Sequence, residues 1–275
     1  MADDKTIYRF FADYIRKELG IVYEESNYYQ LEKRLNEICS NLDIKGNGEL
    51  YDHALSKGIH GHFKQLLLDI ATNNETLFFR DERVFKAIES ELLTVWRNDN
   101  PNSSLFRLWS AASSFGQEPY SFAMLLSEYR ETHPEFPRVD IKATDISDRA
   151  LKKAKEAVYS QLEVQRGLPA KKLIKYFTKD ESDMWKLKHE IRSMVHFGTM
   201  NLLDVVGVEG TFDMISCRNV LIYQKDDMKK EIIKNLSRYL SSGGYFLMGA
   251  AESLIGLSDQ FEQVHLGGAV FYRKK

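Results

Sequence analysis

An α/β fold behind a helical N-terminal segment is predicted by three observations along these 275 residues. The first 72 residues repeat apolar side chains at helical spacing, strand-like runs alternate with amphipathic helices from about Leu105, and the chain closes on two strand-like runs joined by Gly267-Gly268. Alternation of strand and helix implies βαβ units and a parallel sheet. A two-residue glycine turn between strands marks a β-hairpin. A net charge of -2 offers no basic excess of the kind that sequence-independent nucleic-acid binding needs, so no nucleic-acid partner is expected. No apolar run approaches the roughly 20 residues of a membrane span, and Met1-Ala2-Asp3-Asp4-Lys5 begins no signal peptide. Cys39 and Cys217 match no metal-ligand spacing and fit a reducing compartment. These readings predict a cytoplasmic protein without metal or membrane insertion.

In the N-terminal segment the inward stripes are Ile7, Phe10, Phe11, Tyr14 and Ile15, then Leu31, Leu35, Ile38 and Leu42, then Phe63, Leu66, Leu67 and Ile70. Turns are expected at Gly20, at Lys45 to Gly48 and at Gly58 to His62. His60 and His62 lack a carboxylate or thiol at ligand spacing and read as a solvated turn. A helix follows from Glu82 to Trp96. Next come a strand near Leu105 to Trp109, a helix near Pro119 to Glu131, a strand from Val139 to Thr144, and a helix capped by Ser147. Later strands are predicted at Thr211 to Cys217 and, after Ser242-Gly243-Gly244, at Tyr245 to Met248, with a helix between them from Asp226 to Leu240. Between Tyr159 and Met200 the alternation breaks, and the segment reads as an insert of one helix plus a small antiparallel sheet. Arg166, Lys171, Lys172, Lys175 and Lys179 give that insert a basic edge, or simply a solvated face.

A parallel sheet finished by an antiparallel hairpin is the Rossmann-like class I arrangement of S-adenosylmethionine-dependent methyltransferases. The loop between the first strand and its helix, Trp109 to Ser121, fits a phosphate-free cofactor. It carries one glycine, Gly116, where a pyrophosphate site wants several. Glu118 beside the helix N-terminus would repel a phosphate but suits hydroxyls or a cation. Asp145 ends the second strand, where an acid accepts hydrogen bonds from ribose hydroxyls; a helix-capping role is the alternative. Asn201 and Leu202 could meet an adenine edge and face. Arg218 and Asn219 follow a strand and so sit at the carboxyl end of the sheet, although an arginine in a turn is usually solvent-exposed. Asn73 to Arg80 joins the two parts with aromatics and amides instead of Gly or Ser, as a docked segment would.

These residues carry a resemblance. Asn74-Glu75-Thr76-Leu77-Phe78-Phe79-Arg80, Trp109-Ser110-Ala111 leading to Gly116-Gln117-Glu118-Pro119-Tyr120-Ser121, Ala143-Thr144-Asp145-Ile146, Asn201-Leu202-Leu203 and Cys217-Arg218-Asn219-Val220-Leu221-Ile222-Tyr223 fall in order along nearly the whole chain. In this the chain resembles the CheR-type chemotaxis receptor methyltransferases. The resemblance implies a helical domain (1–72), a docked linker (73–81) and a methyltransferase domain (82–275) with a β-subdomain inserted at about 161–197. It implies methyl transfer from S-adenosylmethionine to glutamate carboxylates of methyl-accepting chemotaxis receptors, leaving S-adenosylhomocysteine, by a monomer. A CheR-like scaffold that binds cofactor or receptor without turnover is the alternative. By the same resemblance Asn74, Thr76, Arg80, Gly116, Glu118, Asp145, Asn201, Leu202, Arg218 and Asn219 hold the cofactor, and Arg80, Arg218 and Tyr223 serve catalysis. Lys33 and Arg34 could contact acidic receptor helices. Ala112, Phe115 and Gln117 depart from the family's loop, and the turn between Phe177 and Trp185 lacks the glycines of members that grip a receptor tail, which leaves tethering open.

Overall fold

The computed structural model describes residues 2–275. Four helices open the chain: α1 (Asp4–Leu19), α2 (Tyr28–Leu42), α3 (Asn47–Lys57) and α4 (Gly61–Ala71). Asp3 caps α1 by accepting from the Thr6 N–H at 2.7 Å. The predicted stripes converge on a core of their own in which Phe11, Leu31, Leu35 and Ile38 are fully buried, each contributing about 1.5–3 kcal/mol of transfer energy. Gly20 and Gly58 end α1 and α3 at φ +72° and +76°, backbone that favours glycine. Two expected turns are shorter than predicted, since Asn47 and Gly48 already belong to α3, and Gly61 and His62 to α4.

Two further helices, α5 (Glu82–Ala87) and α6 (Leu93–Asp99), run together through one π turn, Ile88–Leu92. The closing hairpin packs against this helix, where Glu91 accepts the Gly267 N–H at 2.5 Å. The alternating region then supplies β1 (Leu105–Ala111), α7 (Gln117–Thr132), β2 (Arg138–Asp145) and α8 (Asp148–Glu156). An insert follows, made of β3 (Val158–Tyr159), α9 (Gln161–Gln165), α10 (Ala170–Tyr176), β4 (Phe177–Lys179), β5 (Trp185–Leu187) and α11 (His189–Arg192). The chain ends with β6 (Val195–Thr199), β7 (Phe212–Ser216), α12 (Asp226–Ser237), β8 (Leu240–Leu247), β9 (Phe261–Leu266) and β10 (Ala269–Lys274).

The main sheet has seven strands in the order β6-β2-β1-β7-β8-β10-β9, and β10 runs antiparallel to both neighbours. This is the Rossmann-like methyltransferase arrangement that the hairpin predicted. Strand order reverses between β1 and β7, which opens a crevice at their carboxyl ends.

Three expectations are corrected. Val195 to Phe197 leave the insert and pair in parallel with β2 as the sheet's edge strand, while the small sheet, ordered β3-β5-β4, starts earlier, at Val158. A short exposed edge strand has a weak alternation signal, so neighbouring antiparallel runs absorbed it. The Ser242-Gly243-Gly244 segment lies inside β8 and does not precede it; Gly243 at φ +77° accompanies a register shift against β7, a bulge. The α12 helix stops at Ser237, short of Leu240, which opens β8. The insert's basic edge is largely spent internally. Lys175 pairs with Glu131 of α7 at 2.8 Å, Lys172 pairs with Glu128, and Lys179 pairs with Asp183 at 2.8 Å.

Candidate active site

A cleft of about 1010 Å³, open solvent at its mouth included, sits over the β1/β7 switch point and is walled by the linker and the ends of α1 and α4. Its floor is the loop after β1. Ala112 and Ser114 adopt left-handed backbone at φ +62° and +49°, a conformation costing a residue with a Cβ about 1–2 kcal/mol. Tertiary hydrogen bonds hold them there: Ser113 N–H donates to the Thr144 carbonyl at 2.8 Å, and Ser114 N–H to Asp145 Oδ2 at 2.8 Å. The loop thus takes a glycine-type path without the glycines. Gly116 does not line the cleft. It starts α7 at φ +91° and packs so close to α8 and the insert that a Cβ would stand 3.0 Å from the Ala154 methyl.

Asp145 and Ser147 divide the two roles that competed for the acid. Ser147 caps α8 by accepting from the Ala150 N–H at 3.0 Å. Asp145, nearly buried, accepts from Ser114 and Ser147 N–H groups, so it ties the loops after β1 and β2 together while lining the cleft. Burial raises its carboxyl above the usual carboxylate value, with buried Asp69 of α4 pushing the same way against these backbone hydrogen bonds.

Beneath the cleft lies a buried charge network. Glu118 Oε1 accepts from Ser110 and Ser216, which pair across β1 and β7, at 2.8 and 2.9 Å, and Oε2 accepts from Arg218 at 3.1 Å. The Arg218 guanidinium, 1 % exposed, also binds Asp81 and donates to the Arg80 carbonyl at 3.0 Å. Arg218 is therefore a clamp between the sheet and the linker, not an exposed turn arginine, and it lines the cleft as well. Asp81, at φ +63°, had no signal in the sequence beyond its place after Arg80.

Asn74, Thr76, Arg80, Asn219 and Tyr223 all line the cleft. The linker is docked: Ser114 Oγ donates to the Asn74 carbonyl at 2.8 Å, and Asn73 donates to the Tyr223 hydroxyl at 2.7 Å. Arg80 differs from Arg218, the other cation in the cleft lining. Among the described residues no carboxylate lies within ion-pair distance of it, and its guanidinium makes one long contact, 3.5 Å to the Glu75 carbonyl. At the far end Asn201 and Leu202 line the cleft beside Leu19, Ile21 and Ile146. The Asn201 amide is largely committed: it donates to the Glu18 carbonyl at 2.8 Å and accepts from Leu203 N–H at 3.0 Å. Adenine contact at this end would fall to apolar faces such as Leu202.

The residues fit a polar, phosphate-free ligand. Ser113 and Arg218 line the cleft, and their Oγ and Nε atoms are buried without a hydrogen-bond partner among the described residues, whereas buried polar atoms ordinarily find one. Sequence reasoning also missed Glu252, in the loop after β8, which holds the Asn219 turn from below.

The pattern for the CheR methyltransferase SAM-binding domain matches residues 74–269. The chain belongs to the CheR methyltransferase family. It is 36 % identical over 267 residues to the chemotaxis protein methyltransferase Cher2 of Pseudomonas putida, covering 96 % of each chain. It is 37 % identical over 271 residues to a chemotaxis protein methyltransferase of Vibrio anguillarum, covering 98 % of this chain and 96 % of that one. The Escherichia coli chemotaxis protein methyltransferase is 30 % identical over 258 residues, 92 % of this chain and 86 % of its own. As a CheR family member the chain is an S-adenosylmethionine-dependent methyltransferase, and among the described residues no helix is long and apolar enough to cross a membrane.

Proposed function

We propose that this CheR family member methylates glutamate side chains on methyl-accepting chemotaxis receptors, as a cytoplasmic enzyme. The observation that carries this reading is Arg80: one unpaired cation on the cleft wall, in a site where Arg218 is already neutralised by two carboxylates. An arginine fork matches a carboxylate, and a glutamate with a pKa of about 4.3 arrives ionised at neutral pH. The nucleophile therefore needs no general base. When bound, S-adenosylmethionine supplies the electrophilic methyl group on a sulfonium centre.

The remaining work is alignment and exclusion of water. Asp145 offers its free lone pairs to ribose hydroxyls, and Leu202 an apolar face to the adenine. Glu118, already held by two serines and Arg218, keeps negative charge near the methionine end, which favours a cation. Arg80 fixes the acceptor carboxylate, with Asn219 and the Tyr223 hydroxyl on the same wall. Transfer from radiolabelled cofactor to receptor-bearing membranes tests the reading. Base-labile label on receptor glutamates is expected, and Arg80→Ala should cut turnover by about a hundredfold. Cofactor binding without transfer by the unaltered protein would rule the proposal out.

A further inference from the structure

Glu252 makes an unusual set of contacts. Its Oε2 accepts from the backbone N–H groups of Asn219 and Gly249 at 2.7 and 2.8 Å, and its Oε1 accepts from those of Leu221 and Ile222 at 2.7 and 3.2 Å. Four backbone donors therefore converge on one carboxylate, the arrangement of an anion-binding nest. Three of the donors belong to the turn after β7 that carries Asn219 and Tyr223 to the cleft wall. Asn219 is a non-glycine residue at φ +60°, and its neighbours form only the short helical turn Leu221–Tyr223, whose far end is tied by Asn73 donating to the Tyr223 hydroxyl at 2.7 Å; at the Asn219 end Glu252 supplies the side-chain acceptor for the backbone N–H groups. The fit is tight, since a Cβ on Gly249 would stand 2.7 Å from Asn219 Nδ2 and 2.8 Å from Glu252 Oε2. Glu252 itself does not line the cleft.

We propose that Glu252 is a positioning residue for the acceptor side of the site, acting by fixing the Asn219–Tyr223 turn, an inference that rests on the receptor-methylation reading above. Glu252→Gln replaces one acceptor oxygen with an amide that faces two N–H donors. At saturating cofactor and receptor, kcat should fall about tenfold or more while the cofactor Kd stays within about twofold. Glu252→Asp keeps the charge, draws it back by one methylene and should lose less; it replaces the Gln variant if that one does not fold. Amide hydrogen exchange supplies a readout independent of activity. Exchange at Asn219, Leu221 and Ile222 should accelerate, while Ser114, held by Asp145, stays protected. A folded variant with wild-type kcat overturns the proposal, as does unchanged exchange in the turn or a cofactor Kd that rises in step with the lost rate. If the unaltered protein methylates no receptor, the functional reading fails, and the exchange measurement still decides whether Glu252 holds the turn.

Discussion

Two loops at the carboxyl end of the sheet meet the same requirement by different means. The loop after β1 and the turn after β7 both carry non-glycine residues in left-handed backbone, and each is pinned by a neighbouring carboxylate, Asp145 at the end of β2 and Glu252 in the loop after β8. Asp145 gives its scaffold two hydrogen bonds and still lines the cleft, whereas Glu252 spends both oxygens on four backbone donors outside it. The difference teaches that a buried acid can be a ligand residue and a brace at once only while it keeps lone pairs to spare.

The largest disturbance to this pairing should come from Arg218→Ala. It removes the guanidinium between Glu118 and Asp81 and leaves Glu118 charged and largely buried. A loss of about 3–5 kcal/mol in urea unfolding is expected, and a loss under about 1 kcal/mol would show that the network is not a brace. Asp145→Asn strikes the other loop. Calorimetry should show cofactor affinity weakened by about 1.5–3 kcal/mol, the worth of a hydrogen bond to a charged group, with a smaller change in fold stability.

Burial raises the Asp145 carboxyl above its ordinary value, so it takes up a proton at a pH where a solvated aspartate is still ionised. Cofactor affinity should therefore be full above that raised value and fall as pH drops through it, with Asp145→Asn lacking this step; titration calorimetry across the acidic range gives the comparison. The smallest effect belongs to Ala112→Gly. Relief of left-handed strain, partly offset by glycine's greater unfolded-state entropy, should stabilise the protein by about 0.5–1 kcal/mol in thermal or urea unfolding.

The sequence showed what depends on side-chain pattern. The helical stripes, the β1 to α7 corner, the Ser147 cap and the Gly267-Gly268 hairpin all rest on local chemistry that a short window contains. Asp145 was visible because an acid at the end of a second strand has a recognised task. Glu252 was not, because its partners are backbone N–H groups some 30 positions away, and backbone donors leave no mark on residue identity. Arg218 misled for a related reason: its position placed it near the cleft, but only packing reveals that Glu118 and Asp81 already hold it. The parallel pairing of Val195 to Thr199 with β2 likewise follows from topology, not from those residues alone.

The Asn201 contact to α1 is one of a set that bears on how far the chain can be shortened. The final carbonyls of α1 are left without helical partners, and the chemistry-bearing half supplies them: Asn201 donates to Glu18 and Gln224 to Leu19, while Ile21 bridges to Gln224. Leu19 and Ile21 are also part of the cleft wall. A truncated protein beginning at the linker would keep its seven strands and lose one side of its cavity, so the helical segment is a wall of the reaction vessel and not a detachable handle.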